Sequence, residues 1–134
     1  MSTQNLVAIK SLYAAFAIGD MPNVLAVLHP DIIWNEAENF LYADNNPYIG
    51  PQAVLEGVFA RCGSEWDGFA VEMNNIYDAG EHIIATGRYM GVYKQSGIAM
   101  NPQAVHIWTM LEGKAIRFQQ HIDTYNVAKA IKVI

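Results

Sequence analysis

Apolar and polar residues alternate along most of the second half of the chain, a pattern that predicts a run of strands. The clearest stretch is 104–123, AVHIWTMLEGKAIRFQQHID, where two alternating runs flank a Glu112-Gly113-Lys114 turn. In the second run Ile116, Phe118, Gln120 and Ile122 share one face, and Arg117, Gln119, His121 and Asp123 share the other. The first run is apolar on both sides, with His106, Trp108 and Met110 set against Val105, Ile107, Thr109 and Leu111. Such a strand sits centrally in a sheet, or its outer face meets a partner chain. A connecting loop with an odd number of residues puts Trp108 opposite Phe118 and His106 opposite Gln120, whereas an even number puts Trp108 opposite Arg117. Aromatic cross-strand pairing favours the odd loop. His106 and Gln120 are then neighbours on an otherwise apolar wall, where polar groups need partners or a ligand.

Upstream, strands are expected over 69–78, 82–93 and 98–111, separated by turns at Asp78-Ala79-Gly80-Glu81 and Lys94-Gln95-Ser96-Gly97. Gly87, Tyr89 and Gly91 share a face, which suggests a close backbone approach or a hollow there. Pro102 marks an edge segment or a bulge. The first third of the chain has helical spacing instead. Leu6, Ile9, Tyr13 and Phe16, with Leu12 beside them, predict a helix over 3–18, capped by Ser2 or Thr3 and ended by Gly19. Asp20 caps a second helix running through Leu28, with Val24, Leu25 and Leu28 as its buried stripe, and Pro30 closes it. A first strand follows at 32–36, with Trp34 and Glu36 on one face. Residues 37–50 have no period; they are either a lid beside Glu36 or a surface excursion. Pro51 opens a third helix with Val54, Leu55, Val58 and Phe59 on its apolar face, and 62–68 reads as a linker. Val127 and Ile131 let a short C-terminal segment cover one end of the sheet. Helices early and strands late indicate an α+β fold with a mostly antiparallel sheet. Strongly curved around the N-terminal helices, that sheet would form a cone with an internal pocket.

Composition narrows the function classes. The 134 residues suit a single domain, 1–134, and 52% hydrophobic against 16% charged residues favours an ordered globule. A net charge of −5 offers no basic stripe for nucleic acid. The single Cys62 cannot pair within the chain, which fits a cytoplasmic setting, and neither a leader nor a membrane-spanning run is expected. No serine triad, phosphate loop or zinc spacing emerges, so neither metal nor organic cofactor is implied.

The combined pattern resembles the nuclear transport factor 2-like superfamily, in its SnoaL-like and ketosteroid isomerase-like branch. The resemblance is carried by YAAFAIGDMPNVLAVLHPDIIWNE, YIGPQAV, ATGRYMGVY and AVHIWTMLEGKAIRFQQHIDT, in that order over nearly the whole chain. It implies that Glu36, matching an acid at the end of the first strand, is a proton-shuttling base. His106 occupies the position of a second, protonated acid. The tyrosine of the isomerases' first helix is matched by Leu12, with Tyr13 as its neighbour, so the isomerase oxyanion pair is not reproduced.

Each site residue has a chemical and a bland reading. Glu36 shares the face of Trp34, where a carboxylate is costly unless used, or else it reaches solvent past the strand's end. His106 is a donor polarising a substrate carbonyl, or a satisfied core histidine. Tyr89 supplies a second donor or packs as an aromatic. Trp34, Trp108, Phe118, Gln120, Tyr13 and Val58 form the pocket wall, and Gln120 orients a ligand or sets the His106 tautomer. His121 and Asp123 form an H-x-D pair with too few companions for a metal site, so an interface or solvent suits them better. Arg88 and Arg117 are expected to point outward, which disfavours a carboxylate–arginine epoxide hydrolase site. The leading expectation is a homodimer that binds a small hydrophobic carbonyl compound and abstracts a proton beside the carbonyl, as isomerases and cyclases do. The rivals are a non-catalytic module for a hydrophobic ligand and a protein-docking domain that uses the outer sheet face.

Overall fold

A computed structural model of the chain describes residues 2–134. Helix α1, Ser2–Ala17, buries Ile9 and Leu12 on the expected stripe. The helix already includes Ser2 and Thr3, so neither stands before it as the expected cap, and its N-cap position lies outside the described residues. Gly19 ends the helix at φ +74°, a left-handed conformation that glycine adopts without strain. Helix α2 spans Met21–Val27, and the Asp20 carboxylate accepts from the Asn23 backbone N–H at its start.

The first strand begins earlier than its alternation suggested. Strand β1 is Leu28–Asn35 and runs through Pro30. Leu28 therefore belongs to the strand and not to the helix. A proline is tolerated there because regular pairing with β7 resumes only at Ile33. The aperiodic segment after β1 holds a 3₁₀ turn, Ala43–Asn45, and a two-residue strand β2, Tyr48–Ile49. It is no loose excursion, since Phe40, Tyr42 and Tyr48 are buried. Helix α3 covers residues 51–65 and includes a π turn at Leu55–Phe59. The expected linker is thus helix as far as Glu65, and β3, Trp66–Ala79, follows at once. Gly57 lies in that π turn, where an added Cβ would fall 2.2 Å from the Tyr48 ring.

Strands β4, His82–Tyr93, and β7, Lys114–Ile122, fall close to expectation. The strand expected over 98–111 is two pieces, β5, Ala99–Met100, and β6, Gln103–Leu111, interrupted at Asn101 and Pro102. The sheet order is β2-β1-β7-β6-β4-β3, with β5 paired to β4. Every pair is antiparallel except β1 with β7, so the fold is α+β, with N-terminal helices and a mostly antiparallel seven-stranded sheet.

Trp108 pairs with Phe118 and His106 with Gln120, as aromatic pairing demanded, but by another route. The loop is the two residues Glu112 and Gly113, both at positive φ, as tight hairpin turns require. A bulge at Ile116 then restores the register, so Ala115 takes the buried position and Ile116 is only half buried. Further irregularities between Asp67 and Ala70 and between Met73 and Asn75 bend β3. Gly87 faces the second of these, where a Cβ would lie 1.8 Å from the Glu72 carbonyl oxygen. The close approach expected beside Tyr89 is therefore an approach of β3 backbone. Asp123 leaves the H-x-D face to cap helix α4, Thr124–Ala130, whose Val127 and Ala130 are buried. Among the described residues, no helix is long and apolar enough to cross a membrane.

Candidate active site

Helices α1 and α3 and the inner face of the sheet enclose a cavity of about 40 Å³. Its size suits a few waters, since drug-sized ligands occupy roughly 300–1,000 Å³. Every residue assigned to the site borders it: Glu36, His106 and Tyr89, with Trp34, Trp108, Phe118, Gln120, Tyr13 and Val58. Strand parity brings the sheet residues together, and helices α1 and α3 add Tyr13 and Val58. Trp34 sits on β1 facing Phe118 of β7, their rings stacked at 3.8 Å, and Trp108 closes on the same phenyl ring at 4.6 Å.

Glu36 follows the last residue of β1 and is 3% exposed, which excludes the solvent-facing reading. Asn46 holds its backbone, with Oδ1 accepting from the Glu36 N–H at 3.0 Å and Nδ2 donating to its carbonyl at 2.8 Å. The Trp34 indole N–H donates to Oε2 at 3.0 Å. No protein donor among the described residues reaches Oε1. Fully enclosed side-chain nitrogens and oxygens among those residues all have partners, so Oε1 is the oxygen that opens on the cavity. Burial in this apolar wall raises the Glu36 pKa from 4.5 to about 8, partly opposed by the Trp34 hydrogen bond and the Arg61 charge.

His106 is saturated by protein groups. Its Nδ1 lies 2.6 Å from the Tyr13 hydroxyl and its Nε2 lies 2.5 Å from the Tyr89 hydroxyl. Burial lowers its pKa from 6.5 to about 3, so the ring is neutral, and burial raises both tyrosines above their ordinary value. Trp108 Nε1–H donates to the Tyr13 oxygen at 2.9 Å. Gln120 Oε1 accepts from the Ala37 backbone N–H at 3.0 Å, and this orients the amide so that Nε2 donates to the Tyr89 oxygen at 2.9 Å. Gln120 therefore positions Tyr89 and reaches His106 only through it.

Residues without a periodic signal complete the wall. Phe40, from the aperiodic segment, lines the cavity, as does buried Cys62, whose thiol pKa is raised by burial and by nearby Glu36. Asn46 has no pattern that would have marked it, because its role depends on a fold-back over ten residues. Phe16, Phe59, Cys62 and Phe69 border both this cavity and a surface depression of about 270 Å³, so they form the partition between site and solvent. Arg88 and Arg117 are exposed, as expected. Among the described residues, no three of His, Cys, Asp and Glu gather in a metal-binding cluster.

A family profile for the SnoaL-like domain matches residues 9–118. An NTF2-like protein from Burkholderia thailandensis is similar at 32% identity, covering 95% of this chain and 96% of its own, with a TM-score of 0.91. A second NTF2-like protein, from Burkholderia pseudomallei, shares 24% identity over 97% of this chain and 98% of its own, with a TM-score of 0.86. TerC, co-crystallised with polyporic acid, shares 25% identity over 96% of this chain and 98% of its own, with a TM-score of 0.85. No curated protein matches the chain. The profile match, the strand order and the enclosed cavity make this chain a member of the SnoaL-like domain family, built on the NTF2-like, ketosteroid isomerase-like fold.

Proposed function

We propose that the protein is a cofactor-independent enzyme of the isomerase or cyclase type, which moves a proton beside the carbonyl of a small hydrophobic substrate. The observation that carries this reading is Glu36 Oε1, an oxygen without a protein donor on a carboxyl of raised pKa, opening on an apolar cavity. A carboxyl with a pKa of about 8 is shared between acid and base forms near neutrality, which suits a group that takes a proton from carbon and returns it. Both His106 nitrogens are occupied, so the donor to the substrate oxygen is a tyrosine hydroxyl, Tyr13 or Tyr89, and the imidazole acts behind them. Aromatic walls at Trp34, Trp108 and Phe118 suit a flat, apolar substrate. Such a molecule needs more room than the cavity offers, and the thin partition of Phe16, Phe59 and Phe69 is where that room opens. The likeness to TerC supports a small organic ligand rather than a macromolecule.

The test is hydrogen–deuterium exchange at the carbon next to the carbonyl, followed by NMR across a panel of aryl ketones and β-diketones. Glu36→Gln is expected to slow exchange by about 10²–10⁴-fold, the usual worth of a positioned general base. Full exchange in that variant would remove Glu36 from the chemistry. The smallness of the cavity and the saturation of His106 favour one rival, a non-catalytic module that holds a hydrophobic ligand. Ligand binding without exchange in the wild-type protein would select it.

A further inference from the structure

The hydrogen bonds around His106 leave one hydrogen over. Trp108 Nε1 is a donor only, so the Tyr13 oxygen is an acceptor towards it. The Gln120 amide is oriented by the Ala37 N–H, so the Tyr89 oxygen likewise accepts from Nε2. Each tyrosine has one hydroxyl hydrogen, and no other protein acceptor among the described residues lies in reach of either hydroxyl. A neutral imidazole offers one N–H and one lone pair to these two hydroxyls. When Nδ1 carries the proton it donates to Tyr13, Tyr89 donates to Nε2, and the Tyr13 hydrogen is left over. When Nε2 carries the proton, the roles reverse and the Tyr89 hydrogen is left over.

We propose that His106 is a positioning residue whose tautomer decides which of Tyr13 and Tyr89 offers a hydroxyl hydrogen to the cavity, one of them always doing so. The site is therefore built for a ligand that brings an acceptor oxygen, a carbonyl or an enolate, and it presents the donor at either of two points on the wall. Swapping the donor passes a proton from Nδ1 to the Tyr13 oxygen and another from the Tyr89 oxygen to Nε2, while a water or enol hydroxyl in the cavity takes the surplus hydrogen of Tyr13 and returns one to Tyr89. With that loop closed no group is left charged, and no side chain leaves its place. A ligand with two acceptor oxygens, such as a diketone, can be held by either oxygen without turning in the cavity. This inference deepens the carbonyl reading and rests on it for the identity of the ligand, but the tautomer itself is measurable without any substrate.

The experiment is long-range ¹H–¹⁵N NMR of the histidine rings in ¹⁵N-labelled protein, with His106→Gln used to assign the signals among the four histidines. Wild-type His106 is expected to show one protonated and one bare nitrogen from pH 5 to 8. A doubly protonated ring in that range would overturn the proposal. In Tyr13→Phe the proton is expected on Nε2, because an orphaned buried N–H is disfavoured more than an orphaned lone pair. In Tyr89→Phe it is expected on Nδ1. The same tautomer in both variants would overturn the proposal. The remaining histidine signals report whether each variant is folded, and the wild-type spectrum tests the neutral ring in any event. On any ketone that the wild type exchanges, each single variant keeps a surplus hydrogen, so exchange is expected to fall by about threefold or less, whereas the double variant loses roughly 10²–10³-fold, well beyond the product of the two single losses. Losses that simply multiply from the single variants to the double would refute the shared donor while leaving the role of Glu36 standing.

Discussion

Glu36→Gln removes an ionisable group from the cavity wall while keeping a carbonyl oxygen for the Trp34 indole N–H. In the unfolded chain Glu36 ionises near 4.5, and in the folded protein near 8. Between those values unfolding releases a proton, so rising pH destabilises the native state by about 1.36 kcal/mol per pH unit. The full contribution, present below pH 4.5 and lost by about pH 8, is roughly 5 kcal/mol. His106 acts in the opposite sense. Its pKa falls from 6.5 to about 3, so acid destabilises the fold between those values at the same slope. The two slopes cancel between pH 4.5 and 6.5, and wild-type stability is expected to be flat there. Above 6.5 the Glu36 slope acts alone and costs about 2 kcal/mol by pH 8. In Glu36→Gln the plateau moves: stability rises up to pH 6.5 and stays level beyond it. Urea unfolding of both proteins at half-unit steps from pH 4 to 8.5 measures this directly. The variant is expected to gain on the wild type by roughly 5 kcal/mol across the range. A difference that stays constant with pH would mean that Glu36 ionises normally, and would refute the idea that burial primes it as a base.

Three further outcomes follow from the geometry. Trp34→Phe removes the N–H that favours the ionised carboxyl, so the Glu36 titration, followed by ¹³C NMR of its carboxyl carbon, moves upward from about 8; a downward or absent shift would refute that role for the indole. Asn46→Ala leaves the Glu36 backbone N–H and carbonyl without their partners, and chemical denaturation is expected to show a loss of about 1–3 kcal/mol per unsatisfied group, whereas a loss under 0.5 kcal/mol would mean water replaces the amide freely. Gly87→Ala drives a Cβ into the Glu72 carbonyl of the neighbouring strand, so β3 must shift; an expected cost of about 1–3 kcal/mol is checked by the urea midpoint, and an unchanged midpoint would show that the β3 backbone yields.

Local pattern alone determined a good deal about this protein. A period of two at 32–36 and along 69–123 specified the strands, and their parity put Trp34, Glu36, Tyr89, His106, Trp108, Phe118 and Gln120 on inward faces, because successive side chains of a strand point to opposite sides. Pairing of Trp108 with Phe118 was legible too, since burial energy selects the register whatever loop delivers it. The loop was not legible: the two-residue turn with a compensating bulge at Ile116 gives the same pairing as the odd loop that alternation suggested. Nor was the segment around Asn46, which bonds to Glu36 across ten residues with no period to reveal it. The chemistry was decided at the tertiary level. A sequence can show that Glu36 and His106 face inward, but their protonation depends on desolvation and on partners from α1, β4, β6 and β7. Hydrogen bonds and dielectric are properties of assembled surroundings, so only the folded chain made Glu36 an open acid and His106 an enclosed neutral ring between two tyrosines.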